Sequence, residues 1–289
     1  MSKILVIGGA GFIGSNLVKT LLKKGHQVNS FDNYTTGSRD NHYKGCFYYY
    51  GTPKDIKDAL QYTTPTYDYI FHLGEYARVE QSFEDFDQVI KSNLECFPYV
   101  LDFAKQQNAK LVYSGSSTKF AEGGGKDMSP YAFTKAQNTE LLKNYSKWFG
   151  LKYSIVYFYN VFGDNEIGSG KYATVIAKFI NMVKEGNDTL PVTSPGTQIR
   201  NFTHIDDIIE GILLAGFKGE GDGYGIGNDK GYSILNVVNA LGCGPDYKPE
   251  KPGNRMNGQL MTDKTKALGW KCKTDLMEYL KKSIEVSDG

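Results

Sequence analysis

The chain has 289 residues, 40% of them hydrophobic, which is the size of one large domain or two closely packed ones. Its 33 basic and 32 acidic residues leave a formal charge of +1, and this disfavours a nucleic-acid-binding protein, which would carry a basic excess. No apolar run reaches the ~20 residues that span a bilayer, and no secretion signal precedes the first apolar run, so we expect a cytoplasmic protein without membrane contact.

The cysteines support the same expectation. Their four positions lie far apart and form no C-x-x-C pattern: Cys46, Cys96, Cys243 and Cys272. Scattered single cysteines are typical of a reducing compartment, and this spacing favours neither a zinc site nor a disulfide framework. The sequence therefore predicts no bound metal.

The first half of the chain alternates short apolar runs with longer helical patterns. Strands are predicted at residues 4–7, 28–31, 46–50, 67–73, 110–113 and 153–159. Helices are predicted at 12–25, closed by Gly25, at 83–105, and at 130–149, closed by Gly150. This rhythm predicts an α/β fold of the Rossmann type, a doubly wound parallel sheet with helices on both faces.

The rhythm breaks after Gly163, where glycine and proline become frequent. A strand at 202–205 is expected to lead into a helix at 206–217, followed by an irregular part that ends in a helix from Asp275. We therefore predict two parts with a cleft between them. Residues 1–162 and about 201–227 would form the Rossmann domain, and residues 163–200 and 228–289 a smaller C-terminal substrate-binding lobe.

A glycine-rich turn follows the first strand. It fits two overlapping patterns, Gly9-x-Gly11-x-x-Gly14 and Gly8-x-x-Gly11-x-x-Gly14. A dinucleotide pyrophosphate has to approach bare backbone at a helix N-terminus, and the last glycine lets the helix pack closely on the strand. Because a strand precedes the turn and an amphipathic helix follows it, the pattern predicts a dinucleotide site.

Asp32 ends the second predicted strand, 18 residues after Gly14. A carboxylate there accepts hydrogen bonds from both adenosine ribose hydroxyls and repels the 2′-phosphate of NADP, which favours NAD. The alternative is that Asp32 only caps a turn with Asn33.

Three pairs have the spacing Y-x-x-x-K: Tyr50/Lys54, Tyr131/Lys135 and Tyr247/Lys251. The first and last contain a proline, whereas Tyr131 and Lys135 begin a long predicted helix with Ser129 as N-cap and Pro130 at the first position. Residues four apart share a helix face, and an ammonium beside a phenol favours the phenolate. Context therefore selects Tyr131 as a general base and the other two pairs as chance matches.

A run of hydroxyl side chains, Ser114-Gly115-Ser116-Ser117-Thr118, follows the strand predicted at 110–113. Ligands bind beyond the carboxyl ends of strands in open parallel sheets, so one of these hydroxyls is expected to contact the reacting oxygen. The alternative is a hydroxyl-rich turn without a role in binding.

Together these residues resemble the extended short-chain dehydrogenase/reductase family, and within it the NAD-dependent nucleotide-sugar epimerases and dehydratases of the UDP-glucose 4-epimerase type. Five segments carry the resemblance, in the family's order: Gly8 to Gly14 with Asp32-Asn33, His72-Leu73-Gly74 with Ser82 and Asn93, Ser116 with Tyr131 and Lys135, Asn160 to Gly163, and Arg200 to Asp207.

The resemblance implies a role for each matched residue. Tyr131 would be the acid/base, Lys135 would hold the nicotinamide ribose, and Ser116 would position the sugar hydroxyl. The implied NAD-binding residues are Gly8, Gly11, Phe12, Ile13, Gly14, Asp32, Asn33, Leu73, Tyr131 and Lys135. The implied binding residues for a nucleotide-diphosphate sugar are Ser116, Ser117, Thr118, Asn160, Arg200 and Arg255.

Helices near 83–105 and 130–149 pair two subunits in the family, so a homodimer is expected, with Leu101, Phe103, Leu141, Leu142 and Trp148 as candidate apolar contacts.

The chain departs from the family at several positions. The segment between Ser116 and Tyr131 is shorter than usual, and Thr52 replaces a frequent aspartate near the adenine. Tyr157 stands where an arginine is common, and Glu75 and Tyr76 replace small residues. These differences concern the substrate more than the class of reaction.

The segment 116–118 also distinguishes reactions within the family. Dehydratases carry a Thr-Asp-Glu triplet and decarboxylases an acid in its last position, whereas this chain has Ser116-Ser117-Thr118. Epimerisation at C4 needs only a base and an NAD that takes a hydride and returns it. The sequence therefore predicts an NAD-dependent epimerase of carbohydrate biosynthesis. The alternatives are a nucleotide-sugar dehydrogenase or reductase with net redox change, and a non-catalytic NAD sensor.

Overall fold

A computed structural model of the chain describes residues 1–61, 66–120, 128–249 and 259–285. The described strands are β1 (Lys3–Ile7), β2 (Gln27–Asp32), β3 (Cys46–Tyr50), β4 (Tyr69–His72), β5 (Lys110–Ser114), β6 (Tyr153–Phe158), β7 (Val161–Phe162), β8 (Thr189–Thr193), β9 (Ile199–Arg200), β10 (Thr203–His204), β11 (Gly221–Ile226), β12 (Tyr232–Ser233) and β13 (Gly244–Lys248). The described α-helices are α1 (Phe12–Lys23), α2 (Ile56–Leu60), α3 (Phe86–Val89), α4 (Phe97–Gln106), α5 (Pro130–Phe149), α6 (Val175–Lys184), α7 (Ile205–Lys218), α8 (Ile234–Ala240), α9 (Asp263–Ala267) and α10 (Leu276–Glu285).

Seven of the described strands form one parallel sheet in the order β11-β6-β5-β4-β1-β2-β3. The strand order reverses between β1 and β4, and in such a sheet ligands bind in the crevice at this switch point, beyond the carboxyl ends of the strands. The predicted Rossmann-type sheet is thus confirmed.

Local sequence sets the ends of the two helices that flank the site. Helix α1 is followed by Gly25, whose φ of +81° lets the chain reverse while the amide of His26 bonds to the carbonyl of Leu21. Helix α5 begins as predicted, with the Ser129 hydroxyl accepting a hydrogen bond of 3.1 Å from the amide of Ala132, and it ends at Gly150 with φ of +73°.

The helical stretch predicted at 83–105 is present, but it is not one regular α-helix. The structure has a 3₁₀ turn at Glu80–Phe83, then α3, a π-helical turn at Ile90–Glu95, and α4. Pro98 lies at the start of α4 and has no amide hydrogen, so the helical hydrogen-bond ladder is interrupted there.

The part after Gly163 is more regular than predicted. β11 joins the main sheet beside β6, although its glycines at 221, 223 and 225 make it resemble a loop in sequence. A Cβ at Gly225 would lie 1.8 Å from the carbonyl oxygen of Met261, so glycine is required there by a contact distant in sequence. α6, β8, α8 and β13 were also missed, whereas the predicted helices at 206–217 and from Asp275 correspond to α7 and α10.

Three apolar clusters support this architecture. Two cover the two faces of the main sheet, and the third, which includes Phe179, Val192 and Val237, lies among α6, β8 and α8. Leu101, Phe103 and Leu142 are buried against the chain's own sheet, and Leu141 is half-buried there. Of the five apolar contacts predicted for a dimer, only Trp148 is exposed, at 64%. None of the described helices is both long and apolar enough to cross a membrane.

Candidate active site

The glycine turn has the shape that a pyrophosphate needs. A Cβ added to Gly14 would lie 1.9 Å from the carbonyl oxygen of Gly8, so this glycine lets α1 pack on the turn. Gly8 has a φ of +86°, and its Cβ would lie 2.6 Å from the backbone of Gly74. A Cβ at Gly11 would meet nothing closer than 3.4 Å. The protein itself therefore leaves room above Gly11, which is where a ligand would approach.

Helix α1 supplies the anion-binding groups. It begins at Phe12 after Gly11, which provides no side-chain cap. The first amides of a helix, here those of Phe12, Ile13 and Gly14, have no acceptor within the helix. They carry partial positive charge at the helix N-terminus, so the turn and the helix together fit the pyrophosphate of a dinucleotide.

Asp32 ends β2 as predicted and is 7% exposed. Its Oδ2 accepts a hydrogen bond of 2.9 Å from the amide of Ala10, and its Oδ1 accepts one of 2.8 Å from the amide of Tyr34. Burial raises the pKa of the Asp32 carboxyl, although these two amides oppose the effect. The carboxylate thus stabilises the glycine turn through the amide of Ala10.

A cleft of about 590 Å³ runs along the switch point, a volume typical of ligand sites. Gly8, Gly11, Asp32, Asn33 and Leu73 from the predicted cofactor set line it together, alongside Thr52, Lys54, Glu75, Tyr76, Arg78 and Tyr172. The sequence thus predicted the lining residues around the glycine turn and Asp32, but not most of those contributed by the segment after β4 and by Tyr172.

Tyr131 and Lys135 lie in the first two turns of α5. Tyr131 is half-buried, and within the described residues its hydroxyl makes no hydrogen bond. Lys135 is 3% exposed, and its Nζ donates a hydrogen bond of 2.7 Å to the carbonyl oxygen of Ser114. By contrast, Tyr50 and Tyr247 are 76% and 55% exposed on β3 and β13, and Lys251 lies outside the described residues.

The hydroxyl run lies beyond the carboxyl end of β5. Ser116 and Thr118 are each 6% exposed, and their hydroxyls share a hydrogen bond of 2.7 Å. Ser117 is half-buried and begins a 3₁₀ turn. The three side chains therefore reach the edge of the sheet where α5 begins.

A buried ion pair joins Lys135 to Glu75. Nζ of Lys135 lies 2.8 Å from Oε2 of Glu75, and the exposed fractions of the two side chains are 4% and 0%. Glu75 stood out in the sequence only as a departure from small residues. Its partner lies 60 positions along the chain (135 − 75), so no local pattern indicated the pair.

Arg78 and Tyr172 were not predicted at all. Nε and Nη2 of Arg78 donate to the carbonyl oxygen of Tyr172 at 3.0 and 2.7 Å, and Nη1 donates to that of Ala77 at 3.0 Å. The hydroxyls of Tyr172 and Tyr76 both donate to Asp85, at 3.0 and 2.9 Å. Burial lowers the pKa of the Arg78 guanidinium. These contacts hold the segment that carries Tyr172 across one wall of the cleft.

The residues expected to bind the diphosphate are more dispersed. Asn160 is exposed after β6, with φ of +39°. Arg200 ends β9, where its Nη1 donates 2.9 Å to the carbonyl oxygen of Ile199. Neither lines the cleft as far as the structure describes it. Arg255 lies outside the described residues.

Comparison with known proteins supports this description. Residues 4–227 match the NAD dependent epimerase/dehydratase family. The chain is 29% identical over 253 residues to the UDP-N-acetyl-alpha-D-glucosaminuronate decarboxylase of Bacillus cytotoxicus. The matched residues cover 82% of this chain and 78% of that protein. It is 26% identical over 305 residues to a putative UDP-glucose 4-epimerase of Methanocaldococcus jannaschii, covering 97% of each.

Solved structures are similar over almost the whole chain. The UDP-glucose 4-epimerase of Thermotoga maritima, with UDP-glucose, has a TM-score of 0.88 at 27% identity and covers 98% of this chain and 97% of its own. The UDP-glucose 4-epimerase of Thermus thermophilus, in complex with NAD, has a TM-score of 0.87 at 29% identity and covers 99% of both chains.

The family match includes the glycine turn, Asp32, Tyr131 and Lys135, and the cleft beside that turn fits a dinucleotide. The predicted family and cofactor are thereby confirmed. The chain belongs to the NAD dependent epimerase/dehydratase family, and NAD is its cofactor.

Proposed function

We propose that the protein is a nucleotide-sugar epimerase that inverts C4 of the sugar through a transient 4-keto sugar. The observation that carries this proposal is the arrangement of Tyr131, Lys135 and the hydroxyls of 116–118 at one edge of the sheet, without a carboxylate in that segment. UDP is the default nucleotide, because the relatives described above are named for UDP-sugars.

The protein's side chains have distinct tasks in this reaction. Tyr131 takes the proton of the 4-hydroxyl and later returns it, and Ser116 holds the reacting oxygen through its hydroxyl. Lys135 provides a positive charge one helical turn from Tyr131, on the same face of α5. When bound, NAD accepts a hydride from the sugar carbon and gives it back, so the reaction needs no second substrate. Inversion requires the keto sugar to turn over between these two halves.

The 116–118 segment argues against the other reactions of the family. The resemblance to the family implies an acidic residue in this segment for elimination of water or loss of CO₂, and Thr118 holds the last position here. Its hydroxyl is bonded to Ser116, which places a neutral donor and acceptor there. A neutral pair serves to orient a hydroxyl, which is what epimerisation requires.

Residues 163–200 and 228–289 are proposed to bind the nucleotide sugar, with Asn160, Arg200 and Arg255 at the diphosphate. A guanidinium suits a diphosphate because it donates in a planar fork.

We propose a homodimer through α4 and α5, since Tyr99 and Phe133 on these helices are 42% and 44% exposed. A cytoplasmic location is proposed because all four cysteines are free thiols.

The proposal is tested with a panel of UDP-, GDP-, ADP-, CDP- and dTDP-sugars, with NMR used to detect a new C4 stereoisomer. The expected result is that one nucleotide sugar is converted to its C4 epimer until both are at equilibrium, without release of CO₂. Conversion of a uronic-acid substrate with loss of CO₂ would instead establish a decarboxylase.

The same reactions separate the remaining alternatives. An epimerase forms no bulk NADH, so the absorbance of reduced nicotinamide stays constant during turnover. A nucleotide-sugar dehydrogenase consumes added NAD in proportion to its product. A non-catalytic NAD sensor binds the cofactor and converts none of the sugars.

A further inference from the structure

Glu75 lies at the centre of a buried polar network that joins three parts of the fold. Besides Lys135 on α5, its Oε2 accepts a hydrogen bond of 2.9 Å from the hydroxyl of Tyr113 on β5. Its Oε1 accepts one of 2.9 Å from Nδ2 of Asn138, one turn beyond Lys135 on α5. The ring nitrogen Nε2 of His72, at the end of β4, lies 3.4 Å from the same oxygen.

The network keeps the carboxyl group ionised. Burial alone would raise the pKa of Glu75, but the Lys135 ammonium and the nearby His72 ring outweigh this effect and lower the pKa to about 2. Conversely, burial and the carboxylate raise the pKa of Tyr113 well above its ordinary value, so this phenol remains a neutral donor. At neutral pH the network therefore contains a carboxylate that faces an ammonium.

Stability alone does not account for this pair. Burying two charges has a large desolvation cost, and replacing a buried ion pair with apolar side chains of similar volume is often neutral or stabilising. The pair involves the one lysine that lies a helical turn from Tyr131, which is where charge matters for proton transfer.

We propose that Glu75 is a positioning residue for the reaction: it holds the ammonium of Lys135 against the carboxyl end of β5 as its counter-charge, so that removing the charge of Glu75 lowers the pH up to which Tyr131 and Lys135 act as a pair. The proposal rests on the proposed function for the role of Tyr131. The position of the ammonium itself follows from two contacts, Glu75 at 2.8 Å and the Ser114 carbonyl at 2.7 Å.

The charged and titratable groups around Lys135 come from several elements. His72 ends β4 and Glu75 follows three residues later, Tyr113 lies on β5, and Tyr131 lies on α5 itself. Arg78 lies on the segment after β4, and among the described residues it makes no ion pair with a carboxylate. Within the part of the chain that the structure describes, Glu75 is the carboxylate that contacts Lys135. Removing its charge should therefore affect Lys135 first.

The decisive variant is Glu75→Gln, which keeps the shape of the side chain and removes the charge. Without its counter-charge, a buried lysine loses its proton more readily. Protein with ¹⁵Nζ-labelled lysine is titrated by NMR, and the Lys135 signal is assigned from its absence in Lys135→Met. We expect deprotonation at a pH at least about one unit lower in Glu75→Gln than in the wild type. Equal midpoints in the two proteins would overturn the proposal.

A second pair of variants covers the case in which Glu75→Gln does not fold. Lys135→Met alone leaves a buried carboxylate without its partner, whereas Lys135→Met with Glu75→Gln removes both charges. The double variant should be more stable to urea than Lys135→Met, because an uncompensated buried charge is strongly destabilising. A double variant that is no more stable than Lys135→Met would show that the two residues do not act as a pair.

The pH profile of turnover provides the functional arm. With UDP-glucose as the probe, the alkaline limb of kcat should move to lower pH in Glu75→Gln. The matched control is Asp207→Asn, which removes the charge of another buried carboxylate, bonded to the amides of Lys273 and Thr274 at 3.1 and 3.0 Å. This control should lose stability while the shape of its pH profile stays the same, and an equal shift in both variants would contradict the role of Glu75. If the wild type converts no sugar, the proposed function fails, and the NMR titration still decides the proposal on Glu75.

Discussion

Asn93 and Thr134 are joined by a hydrogen bond of 2.9 Å from Nδ2 to Oγ1, across 41 residues of sequence. The same threonine hydroxyl donates 3.0 Å to the carbonyl oxygen of Tyr131. The Oδ1 of Asn93 accepts a hydrogen bond of 2.8 Å from the amide of Tyr76. Asn93 therefore connects the segment after β4 to the first turn of the helix that carries the proposed acid/base.

Asn93→Ala should weaken both the fold and the site. It leaves buried donors and acceptors without partners, at a cost of about 1–3 kcal/mol in the free energy of unfolding. Because Thr134 also loses its anchor, kcat should fall with the stability. Urea denaturation and steady-state kinetics measure the two effects. Asn144→Ala is the control, since within the described part of the chain that side chain donates to the carbonyl of Glu140 alone, on the surface of α5. Equal losses in both variants would show that the Asn93 bond has no special role.

Tyr131→Phe should abolish turnover while the protein stays folded and binds NAD. The ring remains and only the hydroxyl is removed, so packing changes little. General acid–base catalysis contributes about 10²–10⁴-fold, and kcat should fall by at least that order. The controls are Tyr50→Phe and Tyr247→Phe, whose side chains are exposed. Near-normal activity in Tyr131→Phe, with loss in Tyr247→Phe, would mean that the wrong pair had been assigned.

The wild type should bind NADP at least about tenfold more weakly than NAD, because the Asp32 carboxylate repels the 2′-phosphate. Burial raises the pKa of Asp32, so this discrimination should decrease toward acidic pH as the carboxyl takes up a proton. Calorimetric titration with each cofactor at two pH values measures both effects. The control is Asp68→Asn. The Asp68 carboxylate accepts a hydrogen bond of 2.8 Å from the amide of Lys3, and its removal should leave the affinities for both cofactors unchanged. Equal binding of the two cofactors by the wild type would refute the role of Asp32.

Acid should destabilise the wild type more than Glu75→Gln. The pKa of Glu75 is about 2 in the folded chain against an ordinary value of 4.5. A depressed pKa stabilises the fold above the unfolded value, and this contribution is lost as the pH falls from 4.5 toward 2. Between pH 5 and pH 3 the free energy of unfolding of the wild type should therefore decrease by about 1–2 kcal/mol more than that of Glu75→Gln. Parallel decreases in urea denaturation at the two pH values would contradict this.

Light scattering should give the mass of a dimer for the wild type at micromolar concentration. Phe133→Glu places a charge on the exposed face of α5 and should yield a monomer with an unchanged circular dichroism spectrum. Phe47→Glu is the control, because Phe47 is 73% exposed on β3, which is an edge strand of the sheet. A monomeric wild type, or a Phe133→Glu dimer, would rule out an interface through α5.

The sequence alone determined those features that depend on neighbouring residues. Gly8 has a positive φ and Gly14 has no room for a side chain, so the turn and its cofactor class followed from the spacing of the glycines. Ser129 and Gly150 mark the two ends of α5 through local hydrogen bonding and a positive φ, so the helix carrying Tyr131 was predicted with correct bounds.

Contacts between distant segments were decided only by the tertiary structure. Apolar periodicity at 83–105 gave no sign of the π-helical turn, whose Asn93 is directed by Tyr76 and Thr134 from other elements. The glycines of β11 look like a loop until Met261 packs against Gly225. Glu75 meets Lys135 only because parallel strands β4 and β5 end at the same edge of the sheet, beside the start of α5. Local sequence patterns predict backbone geometry and burial. The partner of a charged side chain depends on which distant segments the folded chain places beside it.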